Sequence, residues 1–454
     1  MATLRQPYLF TWKDIEASSD LDRLRLVMDV LPDEEFMRYL ENRRGRGRND
    51  YPIRPTWNAI LAGIVFQHEH VESLRRELKR NAELRYLCGF DPFAGDGAVP
   101  SKDAFSHLLA LIIENHKKVM EIFHKLVEEL RKELPDLGAK LAVDSKAIRS
   151  YGRPVRDEQK LTEEDGRRDT DADWGKKTYK GKRKDGTKWE KVVKWFGYKL
   201  HLLVDSKYEL PLEFKLTKAS RSDSPELLPL VEHTNKKHPD IIEDAEELSA
   251  DKGYDSSENN RELYDGYGIK PVIDKRTMWK DGELTRPLFP DRSDSFIYDE
   301  DGNVSCICFA TGEQRSLFFS GFEKDRKTLK YRCPAAAWGF ECAGRKQCEA
   351  RVNVSDYGRV IRVPLEFDTR IFTPIARHIP KWKKSYNRRT AVERVNSRID
   401  MVLGFEKHYI RGQKKMETRI TLGLIVMLAM ALGRIKANQR EQMRSLTAPV
   451  KRAA

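Results

Sequence analysis

The sequence predicts an α/β protein in which a helical N-terminal region precedes a three-layer unit built on a mixed sheet. Three observations carry this. Up to about residue 135, apolar residues recur at three-to-four spacing, as in "RPTWNAILAGIVFQHEH" and "DAFSHLLALIIENHKKVMEIFHKLVEELRKEL". From residue 138 the pattern changes to short apolar runs and alternating segments that read strand, hairpin, helix, strand, helix, strand. A cysteine-bearing interruption follows, after which the chain returns to helical periodicity. At 454 residues the chain exceeds one ordinary core and should hold two or three domains.

The elements follow in order. "AKLAVDSKAI" is an apolar run bounded by turn signals, predicting a buried strand that ends at Asp144. The hydrophilic stretch 151–192, rich in Lys, Arg, Asp, Glu and Gly, predicts a flexible loop. "FGYKLHLLVDS" and "LPLEFKLTKAS" alternate cleanly, and the short turn "DSKYE" joins them as a hairpin. "SDSPELLPLVEHTNKK" predicts a helix with Ser224 as its cap and Pro225 in its first turn. "ELSADKGYDS" reads as a short strand ending at Asp251, and "GIKPVID" as another. "SYNRRTAVERVNSRID" predicts an amphipathic helix. At about 100° per residue, Tyr386, Arg389, Glu393 and Asp400 share one arc of it, away from the apolar side of Val392, Val395 and Ile399.

There are 84 Lys+Arg against 71 Asp+Glu, a net charge of +13. Distribution matters more than this total. Residues 381–415 hold eleven Lys and Arg but only Glu393, Asp400 and Glu406 as acids, a surface suited to a polyanion such as nucleic acid. The basic run "ENRRGRGRNDYPIRP" reads equally well as a phosphate contact or as a solvated loop. The start, "MATLRQPYLFTWKDIEASSD", has no apolar core of a signal peptide. The most apolar run, residues 420–435, is shorter than the about 20 residues that span a bilayer and predicts a buried core helix. The expectation is a cytoplasmic protein with no membrane partner.

Asp144 and Asp251 each sit at the carboxyl end of a predicted strand, where sites form in open α/β sheets. Glu393 lies on a helix whose apolar side should pack on the same sheet. Brought together, the three carboxylates make a hard, oxygen-only donor set suited to one or two Mg²⁺ or Mn²⁺ ions. Two such ions activate a water and stabilise the leaving oxygen of an in-line phosphoryl displacement. Without a cation the three would repel and raise one another's pKa.

"VDSK" with Asp144, "GYKLHLLVDS", "ADKGYDS" with Asp251 and "YNRRTAVER" with Glu393, in this order, resemble a bacterial insertion-sequence DDE transposase of the group with a Tyr-x2-Arg-x3-Glu-x6-Lys signature. The resemblance covers residues 138–438, and the helical region before it also looks like that family's N-terminal domain. It implies a ribonuclease-H-like mixed sheet flanked by helices, interrupted by a Cys-containing β-rich insertion. The implied division is 1–137, a helical domain that binds DNA; 138–274, the first part of the catalytic domain; 275–364, the Cys-rich insertion; 365–438, the second part, with the Glu393 helix; and 439–454, a basic tail. It further implies Asp144, Asp251 and Glu393 as the catalytic, metal-ligating triad for two Mg²⁺ or Mn²⁺ ions, with Tyr386 and Arg389 on the DNA phosphate. Lys383, Lys384, Arg388, Arg394 and Arg398 join them as DNA contacts on the basic stretch.

The activity implied is cutting of double-stranded DNA at transposon ends and joining of the 3′-OH to target DNA, by a homodimer acting at the bacterial nucleoid. A catalytically decayed DNA binder and a nuclease that does not join are the alternatives. One departure bears on them: the final Lys of the signature is replaced by Asp400, seven residues after Glu393, so a phosphate contact there passes to Arg398 or Lys407 or is lost.

Five of the six cysteines, Cys306, Cys308, Cys333, Cys342 and Cys348, fall in the insertion, and Cys88 stands apart as a small core residue. Their spacing departs from paired Cys-x2-Cys, so structural zinc on four of the thiolates, buried free thiols and disulfides all stay open. For Trp279 and Trp338 in the same insertion, core packing is favoured over stacking on a displaced base.

Overall fold

A computed structural model describes residues 20–44, 52–154, 168–183, 185–290, 296–351, 357–405 and 407–450. The extreme N-terminus and most of the first basic run, residues 45–51, lie outside the described residues, as do Glu406 and the last four residues.

The N-terminal region is helical, as the periodicity predicts: α1 (Asp20–Val30), α2 (Glu34–Arg44), α3 (Ile53–Val65), α4 (Val71–Arg80), α5 (Ala82–Cys88), α6 (Lys102–Glu114) and α7 (His116–Glu133). Ser101 caps α6 by accepting from the Ala104 N–H, and Asn81 caps α5 in the same way. Cys88 is buried here as a small core residue.

The mixed sheet comprises β1 (Lys140–Arg149), β2 (Asp173–Lys182), β3 (Lys188–Asp205), β4 (Leu210–Lys218), β5 (Glu247–Ala250) and β6 (Lys270–Ile273). β3 is antiparallel to β1, β2 and β4, whereas β5 runs parallel to β1 and β6 parallel to β5. The helices α8 (Leu227–Lys237), α9 (Pro239–Glu243) and α10 (Ser257–Asp265) connect the later strands. This is the mixed α/β plan read from the sequence, with the β3–β4 hairpin where "DSKYE" placed it.

Three local expectations are corrected. β1 does not end at Asp144 but continues to Arg149, because Asp144 and the residues after it keep pairing with β3. The stretch expected to be a loop forms, over its second half, a long ribbon in which β2 pairs with the first half of β3 from Lys182↔Lys188 to Asp173↔Gly197. Its two strands are largely exposed, so no apolar periodicity announced them; residues 155–167 of the same stretch lie outside the described residues. Ser224 does not cap with its side chain. It opens a 3₁₀ turn, Ser224–Glu226, ahead of α8, and its oxygens accept from Asn259.

Between residues 286 and 364 the chain builds two small sheets. β7 (Arg286–Pro287), β8 (Phe296–Tyr298), β9 (Val304–Ile307) and β10 (Gln314–Ser316) form one; β11 (Phe318–Glu323), β12 (Thr328–Arg332) and β13 (Val360–Pro364) form the other, with short helices α11 (Pro334–Trp338) and α12 (Arg345–Arg351) between β12 and β13. They share a separate core of Phe296, Tyr298, Tyr331, Val363 and Phe372. Trp279 packs against this core beside Tyr298, whereas Trp338 is exposed next to Phe318.

The chain returns through α13 (Pro380–Tyr386), a 3₁₀ turn (Asn387–Arg389), α14 (Thr390–Met401) and α15 (Gln413–Lys436). α15 is longer than the apolar run suggested and is long and apolar enough to cross a membrane, yet 89% of its apolar stretch is buried. It packs against α1, α3, α6, α7 and β4, so the main core runs without a break from the N-terminal helices into the sheet. The segment after it also packs inward: Met443, Leu446 and Val450 are buried, and the Arg434 guanidinium, fully buried, donates to the Ser445 and Ala448 carbonyls.

Gly433 is where α15 meets α1 most closely, since a Cβ there would lie 2.6 Å from the Leu26 carbonyl oxygen. Backbone cannot yield as a side-chain tip does. Gly433→Ala should therefore lower stability by about 1–3 kcal/mol, read from the midpoint of denaturant unfolding at constant m.

Candidate active site

The register of β1 and β5 decides the geometry. Val143 pairs with Ala250, so Asp144 and Asp251 follow side by side at neighbouring strands about 4.8 Å apart. Asp251 turns the chain away from the sheet by accepting from the Gly253 N–H at 2.8 Å, and Asp144 accepts from the Ser145 N–H at 2.8 Å. α14 buries Ala391, Val392, Val395 and Ile399 against β1 and β3, and this packing turns Glu393 toward the same cavity.

The cavity has a volume of about 580 Å³. Asp144, Asp251 and Glu393 line it together with a fourth carboxylate, Asp223, and with Lys146, Lys176, Lys177, Lys199, Tyr179 and Asp400. Asp223 comes from the turn between β4 and α8 and is held by Lys199 Nζ at 2.9 Å. The site is tight: a Cβ on Gly253 would sit 2.8 Å from Asp251 Oδ1 and 3.1 Å from Asp223 Oδ2. Only glycine leaves room between these two carboxylates. The donor set is all oxygen, as a hard divalent ion requires.

Charge crowding is visible in the titration of the site. Burial, and after it the charge of Asp251, push Asp144 up to about 6, and the Arg389 guanidinium opposes them only in part. Beneath lies Tyr254, fully buried, its phenol pushed well above the usual value first by burial and then by Asp223, Asp144 and Asp251. Its hydroxyl meets His201 Nδ1 at 3.1 Å, while His201 Nε2 meets the Thr217 hydroxyl at 3.0 Å. Burial holds that imidazole neutral, down to about 4.

The basic stretch divides into distinct groups. Arg389 Nη1 stands 2.8 Å from Glu393 Oε1 and 3.4 Å from Asp144 Oδ2, bridging the two carboxylates. Tyr386 stacks on Trp382 with ring centroids 5.0 Å apart and lies under the Arg389 guanidinium. The 3₁₀ turn between them breaks the single helix expected from the sequence. Arg388 is paired with Glu247, while Arg394 and Arg398 are both drawn to the buried Glu209, so these three hold the fold from within. Lys383 and Lys384 remain exposed. Asp400 pairs with Lys146, which lies two residues beyond Asp144 on β1.

Asp223, Lys146 and the ribbon lysines escaped the sequence reading. Asp223 sits within "SDSPE", which reads as a helix start, and the alternation of "WGKKTYKGK" was the one available signal for the ribbon.

All six cysteines are unbridged thiols in the structure. The five in the insertion line one cavity of about 400 Å³. Burial raises Cys306 to about 11, with the neighbouring cysteines adding to the effect, whereas hydrogen bonding to Thr311 lowers Cys308 to about 7.

Because Asp144 titrates higher when folded, the native state binds its proton more tightly than the unfolded chain. Its ionisation therefore costs stability from about pH 4 upward, fully above about pH 6. In chelator, Asp144→Asn should stabilise the protein by on the order of 2–3 kcal/mol near pH 8, at about 1.36 kcal/mol per unit. Denaturant unfolding across pH should show that gain fading to nothing below about pH 4.

A family model described as "Transposase DDE domain" matches residues 137–429, and one described as "Transposase domain (DUF772)" matches residues 13–110. No curated protein matches. Among solved structures, the cryo-EM structure of a piggyBac transposase synaptic complex with hairpin DNA aligns over 96% of this chain and 80% of that one, at 11% identity and a TM-score of 0.36. The DDE model alone spans well over half the chain, and the protein belongs to the DDE transposase family.

Proposed function

We propose that this transposase cuts double-stranded DNA at transposon ends and joins the freed 3′-OH to target DNA, using Asp144, Asp251 and Glu393 to hold two Mg²⁺ or Mn²⁺ ions. The observation that carries the reading is the single cavity lined by these three carboxylates and Asp223. When bound, the ions supply activation of the attacking oxygen and stabilisation of the leaving one. The strand order, with β3 and β4 antiparallel on one side of β1 and β5 and β6 parallel on the other, supports a ribonuclease-H-like catalytic core.

This chain's own residues orient the DNA. Tyr386 and Arg389 flank the carboxylates and are the contacts proposed for the phosphate at the scissile bond. Arg389 must leave Asp144 and Glu393 to reach it, so binding of a phosphate and of a cation are coupled in the same direction. Lys176 and Lys177 on the ribbon line the cavity and extend its positive charge toward the DNA backbone, while Lys383 and Lys384 are exposed on α13 as separate backbone contacts. Arg388, Arg394 and Arg398 act on this surface by holding α13 and α14 in place. We assign the helical region to DNA binding, two copies to the complex that joins both ends, the cytoplasm as its site of action, and zinc to four of the thiols gathered in the insertion.

Asp400, which favours a decayed DNA binder when read alone, has its charge countered by Lys146, so a cation still stands beside the carboxylates. Lys146→Ala should reduce cleavage more than tenfold, and the exchange Lys146→Asp with Asp400→Lys should recover much of it; an exchange no better than the single variant removes this role.

Glu393→Gln should lower strand cleavage by about three orders of magnitude, the several kcal/mol forfeited with metal stabilisation of the reacting oxygens. DNA binding measured by fluorescence anisotropy should persist. Wild-type protein that binds end DNA but never cleaves it in Mg²⁺ or Mn²⁺ would establish the non-catalytic binder instead, and cleavage without joined products would establish the nuclease.

A further inference from the structure

A second group of donors lies away from the carboxylate cavity, where α7 of the helical region meets β4 and α8. The side chain of Glu213 on β4 is 1% exposed and that of His124 on α7 is 7% exposed, whereas His233 on α8 stands half in solvent. His233 Nδ1 is 2.6 Å from Glu213 Oε2, and His124 Nε2 is 4.0 Å from the same oxygen. The three donor atoms all lie within 4.8 Å of one another. We propose that His124 Nε2, Glu213 Oε2 and His233 Nδ1 bind a divalent transition ion of the zinc type, which fastens the N-terminal helices to the sheet.

The unmet demand is at His124. Its Nδ1 is 3.1 Å from His238 Nε2, while its Nε2 is buried without a hydrogen-bond partner. A neutral imidazole carries one N–H, and if Nδ1 donates to His238 the bare lone pair of Nε2 faces the carboxylate oxygen. Placing the proton on Nε2 instead does not help, because 4.0 Å is too long for a hydrogen bond. A cation between them satisfies both. The His124–His238 contact is then the outer hydrogen bond that fixes a metal-bound imidazole in its tautomer.

Two imidazoles and one carboxylate favour zinc over Mg²⁺ or Ca²⁺. Tetrahedral zinc with ligands at about 2.0–2.2 Å sets donor pairs roughly 3.4 Å apart. The His124–Glu213 gap must close and the His233–Glu213 gap open, each by less than about 1 Å, and half-exposed His233 is free to move. The ion replaces the proton that His233 Nδ1 shares with Glu213, and that proton leaves to solvent. The fourth position opens on the His233 side, where a water completes the set. Lys236 and Lys237 face the same side and moderate the affinity.

The test uses the full-length protein, because His124 and Glu213 are buried and only His233 can be changed at little cost to the fold. Wild type and His233→Ala are loaded with Zn²⁺, dialysed, and assayed for bound metal by atomic emission and for unfolding temperature, with circular dichroism verifying the fold. His233→Ala should hold one zinc equivalent fewer than wild type and lose the zinc-dependent rise in unfolding temperature that this site contributes. With Co²⁺, His233→Ala should lose only the visible d–d absorption of the His/Glu site, while the near-ultraviolet thiolate bands and the visible bands of the cysteine cavity stay. Equal zinc content in wild type and His233→Ala, or a cobalt spectrum that His233→Ala leaves unchanged, overturns the proposal. The carboxylate cavity is judged separately, by Glu393→Gln.

Discussion

The burial of α15 on every side is the constraint on which the rest of this protein depends. A helix that is apolar all round has no solvent face, so it must be enclosed by other elements. Here α1, α3, α6 and α7 enclose it on one side and β4 on another. Phe405, just ahead of it, packs over Gly423, so the chain leaving α14 is pinned to the same helix. Through that attachment the core fixes α14 against β1 and β3, and Glu393 is aimed at the strand ends. The three carboxylates need no loop to find each other. Two are neighbours by strand register and the third is delivered by the packing of a helix.

Inside the cavity, repulsion and compensation are closely matched. Five carboxylates line one space, Asp144, Asp223, Asp251, Glu393 and Asp400, and the cations around them are each committed to one or two: Lys199 to Asp223, Lys146 to Asp400, Arg389 to Asp144 and Glu393. Even so, Asp144 is left with a raised pKa. Burial is the larger part of that rise and the charge of Asp251 the smaller. Outside the cavity, Glu209 and Glu247 act oppositely, as buried anions that draw Arg388, Arg394, Arg398 and Arg444 inward and hold the helices.

What was legible in the sequence follows from the type of signal each element carries. Helical periodicity located the N-terminal region, and apolar runs located β1, β5 and β6, so Asp144 and Asp251 could be placed at a sheet and Glu393 on a packed helix. The β2–β3 ribbon was illegible because nothing apolar lies beneath most of it; backbone pairing builds it, with Trp189 and Trp195 lying over Gly181 and Gly175. Asp223 was hidden by a helix-start pattern that is itself real. The inward pairing of Arg388, Arg394 and Arg398 was illegible for a different reason: their partners lie more than a hundred residues away, and a local window registers only the basic charge.

The ribbon has an implication for how such a protein changes over generations. Most of its residues project into solvent, with Trp174, Tyr179 and Trp189 exposed alongside its lysines, and its base reaches the carboxylate cavity through Lys177, Tyr179 and Trp195. Substitutions along its outer half touch no core and so carry little folding penalty, while those nearer its base change the side chains that line the carboxylate cavity. Change beside the cavity is thereby separated from loss of stability, and lineages are free to vary the ribbon while the enclosed helix stays under strict packing constraint.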